Sequence, residues 1–404
     1  MENIYDIIIV GAGPAGCSCA INLASSKLKI AIIDKCTFPR DKVCGGGLSD
    51  RSVNTLKRMP DNIYQDFIKN VDKLDSKGAR LFSPDQNYFD VIPLDTNTNG
   101  YICKRIDFDY FLFNILKKYP NIEIINTQIT DVVINNDNVI LTADNNVFKS
   151  KIVVGADGAN SIISRKLTNN FLIRRNKLVA VRAIYKNISG FDERNLAELH
   201  FLKEIIPGYF WIFPIGNNEF NVGIGSSKVL LKKNKIILKN LLNEIITKNK
   251  LIAQRFRNAE IIGRVEADCL PIGGENAQIF GNRFLLIGDA ASLVDPFTGE
   301  GIGNALLSGE IASKVIKECL EKNDFTANEL INYERLINKR LKSEFKIHRA
   351  MFYVTRNQKF INFLMRKANE NIYFQKIIQE MINKNQRKWL LFNPLFYFKL
   401  IFKK

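Results

Sequence analysis

Hydrophobic residues cluster in the chain in two distinct ways. Residues 4–10 (IYDIIIV) form a run of β-branched residues without polar alternation, the pattern of a strand buried on both faces of a parallel sheet. Positions 14–27 read as a helix and 29–34 (KIAIID) as a second strand of the same kind. Residues 107–118 carry an amphipathic helical pattern, and four short strands follow between 121 and 157. Segments 178–185, 196–203, 208–215 and 219–226 instead alternate and turn at Gly and Asn, as antiparallel strands do. The continuous style returns at 284–290 (FLLIGDA), followed by a helix over 300–320 and a basic, mostly helical stretch from 326 to the end.

This order predicts an α/β protein, α+β overall. A Rossmann-like dinucleotide-binding domain is assembled from 1–50, 100–165 and 281–320. A mainly antiparallel substrate-binding domain (51–99 and 166–280) is inserted, and a helical C-terminal region covers 321–404. With 404 residues, 46% hydrophobic and 25% charged, the chain has ample apolar material for a core, which excludes global disorder. Its two histidines, His200 and His348, lie far apart and argue against a zinc hydrolase or a His-based triad; no metal site is expected. Seven cysteines without a C-x-x-C pair suit a reducing compartment. No apolar run is long enough to span a bilayer and no cleaved leader is evident. A cytoplasmic protein, at most held at a membrane surface, is expected. The net charge of +17 comes without any nucleic-acid-binding motif, so nucleic acid is not expected as a partner.

Three glycine-rich segments carry the chemistry. The first, Gly11-Ala-Gly13-Pro-Ala15-Gly16, follows a strand and opens a helix. Gly11 permits a tight turn, Gly13 admits a pyrophosphate to the backbone, and Gly16 allows close helix–strand packing. The helix start supplies amide donors. Asp34 ends the next strand, where a carboxylate accepts from ribose hydroxyls. The second segment, Gly155-Ala-Asp157-Gly158, closes the strand KIVVGAD. The third combines Gly288-Asp289 with Gly299-Glu-Gly301-Ile302, where a carboxylate binds a ribityl hydroxyl and helix-start amides face a flavin ring. Singly, each could pass for a turn or a cap.

Together the three segments resemble the flavoprotein hydroxylase superfamily that folds like p-hydroxybenzoate hydroxylase, and Arg105 in R-I-D-F-D-Y-F-L resembles its flavin-side arginine. Two further strings, Lys42-Val-Cys44-Gly45-Gly46-Gly47 and Pro207-Gly-Tyr209-Phe-Trp211-Ile-Phe213-Pro214, are similar to signatures of the geranylgeranyl reductase family. The resemblance covers about the first 310 residues. It implies FAD as cofactor, held by Ala15, Asp34, Gly45, Gly47, Arg105, Ile129, Asp289, Gly301 and Ile302, with Gly11, Gly13, Gly16, Cys44, Asp157 and Gly299 completing the site. The family more often has Glu at the position of Asp34. The resemblance also implies saturation of isoprenoid double bonds.

The residues offer independent support for this chemistry. Tyr209, Trp211 and Phe213 fall on one face of a strand and offer a flat aromatic wall for an apolar chain, with Pro214 beside them. Cys44 is a candidate proton relay, since alkene reduction needs a proton as well as a hydride; tight packing beside the ring is its other reading. Cys17 and Cys19 read as packing residues. The tail at 387–404, apolar and aromatic with basic ends, is either an interfacial element at an anionic membrane or docked on the protein. Electrons come from NAD(P)H or, given the basic surface, from acidic ferredoxin. Two other function classes fit the same scaffold. One is a flavin-dependent aromatic monooxygenase or halogenase, although a halogenase-like W-x-W-x-I-P string is missing. The other is a non-catalytic lipid- or nucleotide-binding protein.

Overall fold

The computed structural model describes residues 3–92, 100–144, 146–170, 177–273, 277–372, 374–375 and 377. The β-branched runs pair side by side. Strand Asn3–Val10 lies parallel to Ile30–Asp34 on one side and to Asn146–Gly155 on the other, with Ile7 beside Ile30 and Ile152. Ile7, Ile8 and Ile9 are all fully buried, so both faces of this sheet are covered and polar alternation would be penalised. Ile122–Asn126 extends the sheet at one side, and Phe284–Leu286 with Phe280–Gly281 at the other. The strands therefore come from separated parts of the chain, as the pattern predicts.

Helix Pro14–Leu23 packs against Ile302–Lys322 and Arg105–Leu116. The first crossing is close because residue 309 is glycine: a Cβ there would lie 2.4 Å from the Ala15 carbonyl oxygen and 2.8 Å from the Cys19 nitrogen. Ser18 Oγ donates to the Leu306 carbonyl across the same contact at 2.7 Å. Cys17 and Cys19 are fully buried on this helix, and burial pushes the Cys19 thiol up to about 12. Gly309→Val is expected to cost about 1–3 kcal/mol through overpacking. A chemical-denaturation midpoint equal to wild type would show that the helices are not held this closely.

The second sheet runs in the order Glu260–Pro271, Lys177–Lys186, Glu219–Ser227, Tyr209–Gly216, Ala197–His200, Ala79–Phe82, Tyr88–Val91. Its pairings are antiparallel except where Ala197–His200 meets Ala79–Phe82, a strand from much earlier in the chain. Phe210, Ile212, Val222 and Ile224 form a hydrophobic cluster on one face, beneath helix Leu238–Lys248. The other face is turned toward the parallel sheet. Residues 51–92 contribute to both bodies: helices Asp50–Arg58 and Ile63–Asn70 share the core of the parallel sheet, whereas Ala79–Phe82 and Tyr88–Val91 join the second sheet.

Helices Ala327–Val354 and Gln358–Glu370 close the described fold. Among the described residues no helix is long and apolar enough to cross a membrane. The apolar tail at 387–404 lies outside the described residues.

Candidate functional site

A cavity of about 1300 Å³ opens between the ends of the parallel strands and the second sheet. Pockets for one small ligand usually measure roughly 300–1000 Å³, so this one has room for a large cofactor and a second molecule. Its two ends differ in chemistry.

At the first end the glycine turn has little freedom. Gly11 has φ +105°, and a Cβ on it would lie 2.3 Å from the Ala156 carbonyl oxygen. Gly16 sits outside the cavity lining; a Cβ there would lie 1.9 Å from the Gly11 carbonyl oxygen, so its role is to let turn and helix touch. Gly13 caps helix Pro14–Leu23, which puts its own backbone and Ala15 on the cavity wall. Asp34 does more than face a ribose. Its carboxylate accepts the Ala12 amide at 2.7 Å and the Cys36 amide at 2.8 Å, which braces the turn. Each oxygen retains a lone pair for a further donor. Ile129 is buried on the adjoining wall.

Three acidic or basic clusters continue this wall. Asp157 accepts the Ile162 amide at 2.6 Å through Oδ2, while Oδ1 is buried with no partner among the described residues. Burial raises its pKa, against the opposing bonds from Ser161 and the helix amides. Asp289 is paired with Lys42 at 2.7 Å. Burial would raise the Asp289 pKa, but the Lys42 ammonium overrides it and holds the carboxyl below its usual range. Gly299, Gly301 and Ile302 line the cavity where helix Ile302–Lys322 starts, and Asp289 Oδ1 lies 3.7 Å from where a Gly301 Cβ would stand. Arg105 is buried and makes a bidentate pair with Asp109 at 2.7 Å and 2.7 Å, and Arg40 joins from the other side at 2.8 Å. Burial disfavours the Arg105 charge, and the Asp109 carboxylate more than restores it.

The loop carrying Cys44 links the two ends. Its thiol takes the Gly46 amide at 3.5 Å, and its carbonyl takes Asn221 Nδ2 at 2.6 Å. Asn221 Oδ1 in turn accepts Trp211 Nε1 at 3.0 Å. A Gly45 Cβ would stand 2.9 Å from the Phe213 ring, whereas one on Gly47 would meet nothing within 4 Å.

Tyr209, Trp211 and Phe213 all line the cavity, but not as a flat wall. Successive ring centroids are 6.1 Å and 6.3 Å apart, with interplanar angles of 68° and 43°. The Trp211 ring lies over Gly223, where a Cβ would come within 2.2 Å of it, and its N–H is committed to Asn221. These constraints tilt the stack. Pro214 falls on the opposite side of the strand, outside the cavity lining, because side chains alternate along a strand. Beyond the aromatic steps the wall is apolar, with Leu81, Phe89, Phe352, Ile361, Met365 and Ala368.

The sequence patterns did not single out Lys42, Asn221, Asp295 or His348 as site residues. Lys42 lies within a quoted motif, and Asp295 opens the Asp-Pro-Phe-Thr stretch that leads into Gly299-Glu-Gly301; those were their only signals. Asn221 and His348 are isolated residues whose partners are distant in the chain.

The residues fit FAD on structural grounds. Gly13 and Gly47 leave room that a side chain would fill, Asp157 presents a buried acceptor without a donor, and two helix starts supply amides for phosphate and for a ring carbonyl edge. When bound there, FAD supplies hydride-transfer chemistry.

Comparison with known proteins agrees with this geometry. A family described as "Geranylgeranyl reductase catalytic domain" matches residues 177–267, and "Glucose inhibited division protein A" matches 6–197. Digeranylgeranylglycerophospholipid reductase of Thermoplasma acidophilum is 30% identical over 351 residues, covering 83% of this chain and 84% of that one. Two solved structures share the fold. A geranylgeranyl bacteriochlorophyll reductase-like protein from the same organism has TM-score 0.78 and 24% identity, covering 96% of this chain and 98% of the other. The flavin-dependent brominase Bmp2 has TM-score 0.77 and 21% identity, covering 94% of each. The likeness to the brominase is thus one of fold, while the reductase likeness extends to sequence along most of the chain. With the dinucleotide end, the aromatic steps and the apolar end in one cavity, the chain belongs to the geranylgeranyl reductase family of FAD-dependent oxidoreductases.

Proposed function

We propose that the protein saturates carbon–carbon double bonds of an isoprenoid chain carried by a membrane lipid or quinone. One observation carries this reading: the cavity that holds the dinucleotide end continues past Trp211 into a wall of aliphatic and aromatic side chains. An isoprenoid tail has no polar handle, so a long apolar channel is what can select it. The relative named for a digeranylgeranyl lipid supports a substrate of this class. A lipid-borne substrate brings the working location to a membrane surface, and a net charge of +17 suits an anionic one.

A direct test follows flavin colour. Anaerobically reduced protein is expected to regain its oxidised spectrum when given a geranylgeranyl lipid. Reoxidation by oxygen alone, with no response to the lipid, would contradict the reading. Flavin is expected to be held without a covalent bond, so acid precipitation should leave a colourless pellet; a yellow pellet would refute this.

For the electrons that reduce the flavin, the donor is NAD(P)H or reduced ferredoxin. The basic surface favours the acidic protein donor. Its reduction rate is then expected to fall steeply with added salt, and a salt-independent rate would argue for the nicotinamide.

A further inference from the structure

His348 is buried at 5% exposure, yet it lines the cavity. It sits on helix Ala327–Val354, and Met351 and Phe352, the next residues of that helix on the wall, are apolar. It therefore marks the boundary between the polar and apolar ends. Its Nδ1 meets Asp295 Oδ2 at 2.5 Å. Asp295 is 1% exposed, and its other oxygen accepts the amides of Phe297 at 2.9 Å and Thr298 at 2.8 Å. The imidazole is thus anchored to the loop that precedes Gly299 and Gly301. Tyr209 reaches the same loop, donating its hydroxyl to the Thr298 carbonyl at 2.6 Å.

Other charged groups surround this pair. Glu344, one turn earlier on the same helix, has Oε1 4.0 Å from His348 Nδ1. Arg51, from helix Asp50–Arg58, pairs with Glu344 at 2.6 Å and bonds Asn304 at 2.5 Å. Glu300 is bonded by Ser49 and interacts with Arg51. Arg349 donates to the Gly273 carbonyl at 2.7 Å. Arg51 already supplies the compensating cation for Glu344. The Asp295 carboxylate, in contact with Nδ1, is a counter-charge for a protonated His348.

A buried ion pair is a poor way to gain stability, because desolvation cancels much of the attraction. It is, however, a good way to hold a proton where water is scarce. We propose that His348 is the proton donor for double-bond saturation, with Asp295 as its positioning residue. This assignment rests on the isoprenoid reductase reading. Saturating one C=C bond takes a hydride, with its electron pair, from the reduced cofactor and one further proton. The His348 N–H bond breaks and a C–H bond forms at the second carbon. The bonding pair stays on nitrogen, and the imidazole regains its proton from water. Histidine is suited because it exchanges a proton near neutral pH.

The test is anaerobic single turnover of the reduced, FAD-loaded full chain with a digeranylgeranyl phospholipid, across pH. His348→Gln is expected to slow saturation about 100-fold or more, the usual scale for a lost general acid, with FAD affinity and KM unchanged. Wild type should lose rate as pH rises, and the variant should lack that limb. Asp295→Asn keeps a group that can bond Nδ1 but removes the charge, and should also slow saturation with FAD affinity and KM unchanged. A His348→Gln rate equal to wild type, with the limb intact, overturns the assignment and leaves the reductase reading standing. Should that variant fail to fold, an Asp295→Asn saturation rate equal to wild type overturns it equally. A wild type that takes up and reduces flavin yet leaves every isoprenoid double bond intact overturns both.

Discussion

Replacing Asp289 with Ala is expected to weaken FAD binding by roughly 10- to 100-fold, because a hydrogen bond to a charged group contributes about 1.5–3 kcal/mol. The carboxylate lies beside the start of helix Ile302–Lys322 and is held ionised by Lys42 at 2.7 Å. Its removal also leaves the Lys42 ammonium without its partner. The double variant Lys42→Met/Asp289→Ala should therefore lose less than the sum of the two single changes. Titration of the apoprotein with FAD measures all three. Unchanged affinity in Asp289→Ala would mean that the third glycine-rich segment does not face the cofactor. The native Asp289 pKa lies below its unfolded value. Its contribution to stability is therefore complete above the unfolded carboxylate pKa, about 4, and is lost as pH falls through the lower native value.

The second large effect is expected at Trp211. Truncating a buried aromatic costs about 3–5 kcal/mol of stability, so folding is checked first by thermal denaturation. Beyond that cost, Trp211→Ala removes the middle aromatic step and frees Asn221, which holds the Cys44 carbonyl at 2.6 Å. A raised KM for long isoprenoids, or a change in which double bonds are reduced, is expected. Trp211→Phe separates the two roles, since it keeps a ring over Gly223 but cannot donate to Asn221. A Phe variant that behaves like Ala would place the effect in the Cys44 loop; one that behaves like wild type would place it in the channel. Product patterns identical in all three proteins would contradict a channel role.

Legibility of these features in the sequence follows the range of the interactions. The parallel sheet was readable because strands buried on both faces must be continuously apolar, and Ile7 to Ile9 display this locally. The dinucleotide end was readable because glycine spacing is a local demand of the backbone, as at Gly11. Pro214 was misplaced by a motif whose letters run on regardless of strand alternation. The tilt of the aromatic steps depends on Gly223, from the neighbouring strand, and no pattern within 207–214 encodes it. His348 and Asp295 are 53 positions apart and meet only because a long helix returns across the cavity. The scarcity of histidine even argued against such a role. Lys42 and Asp289, separated by 247 positions, are a similar case.

Whether one cavity joins a flavin to an isoprenoid tail is decided by mass spectrometry of the lipid itself. Purified protein, loaded with FAD and reduced anaerobically, is incubated with a digeranylgeranyl phospholipid, and the lipid is recovered. Products heavier by two hydrogens for each double bond reduced are expected, dependent on both FAD and protein. Recovery of the lipid at its starting mass despite full flavin reduction, or incorporation of oxygen or halide on admission of air, would contradict the reading.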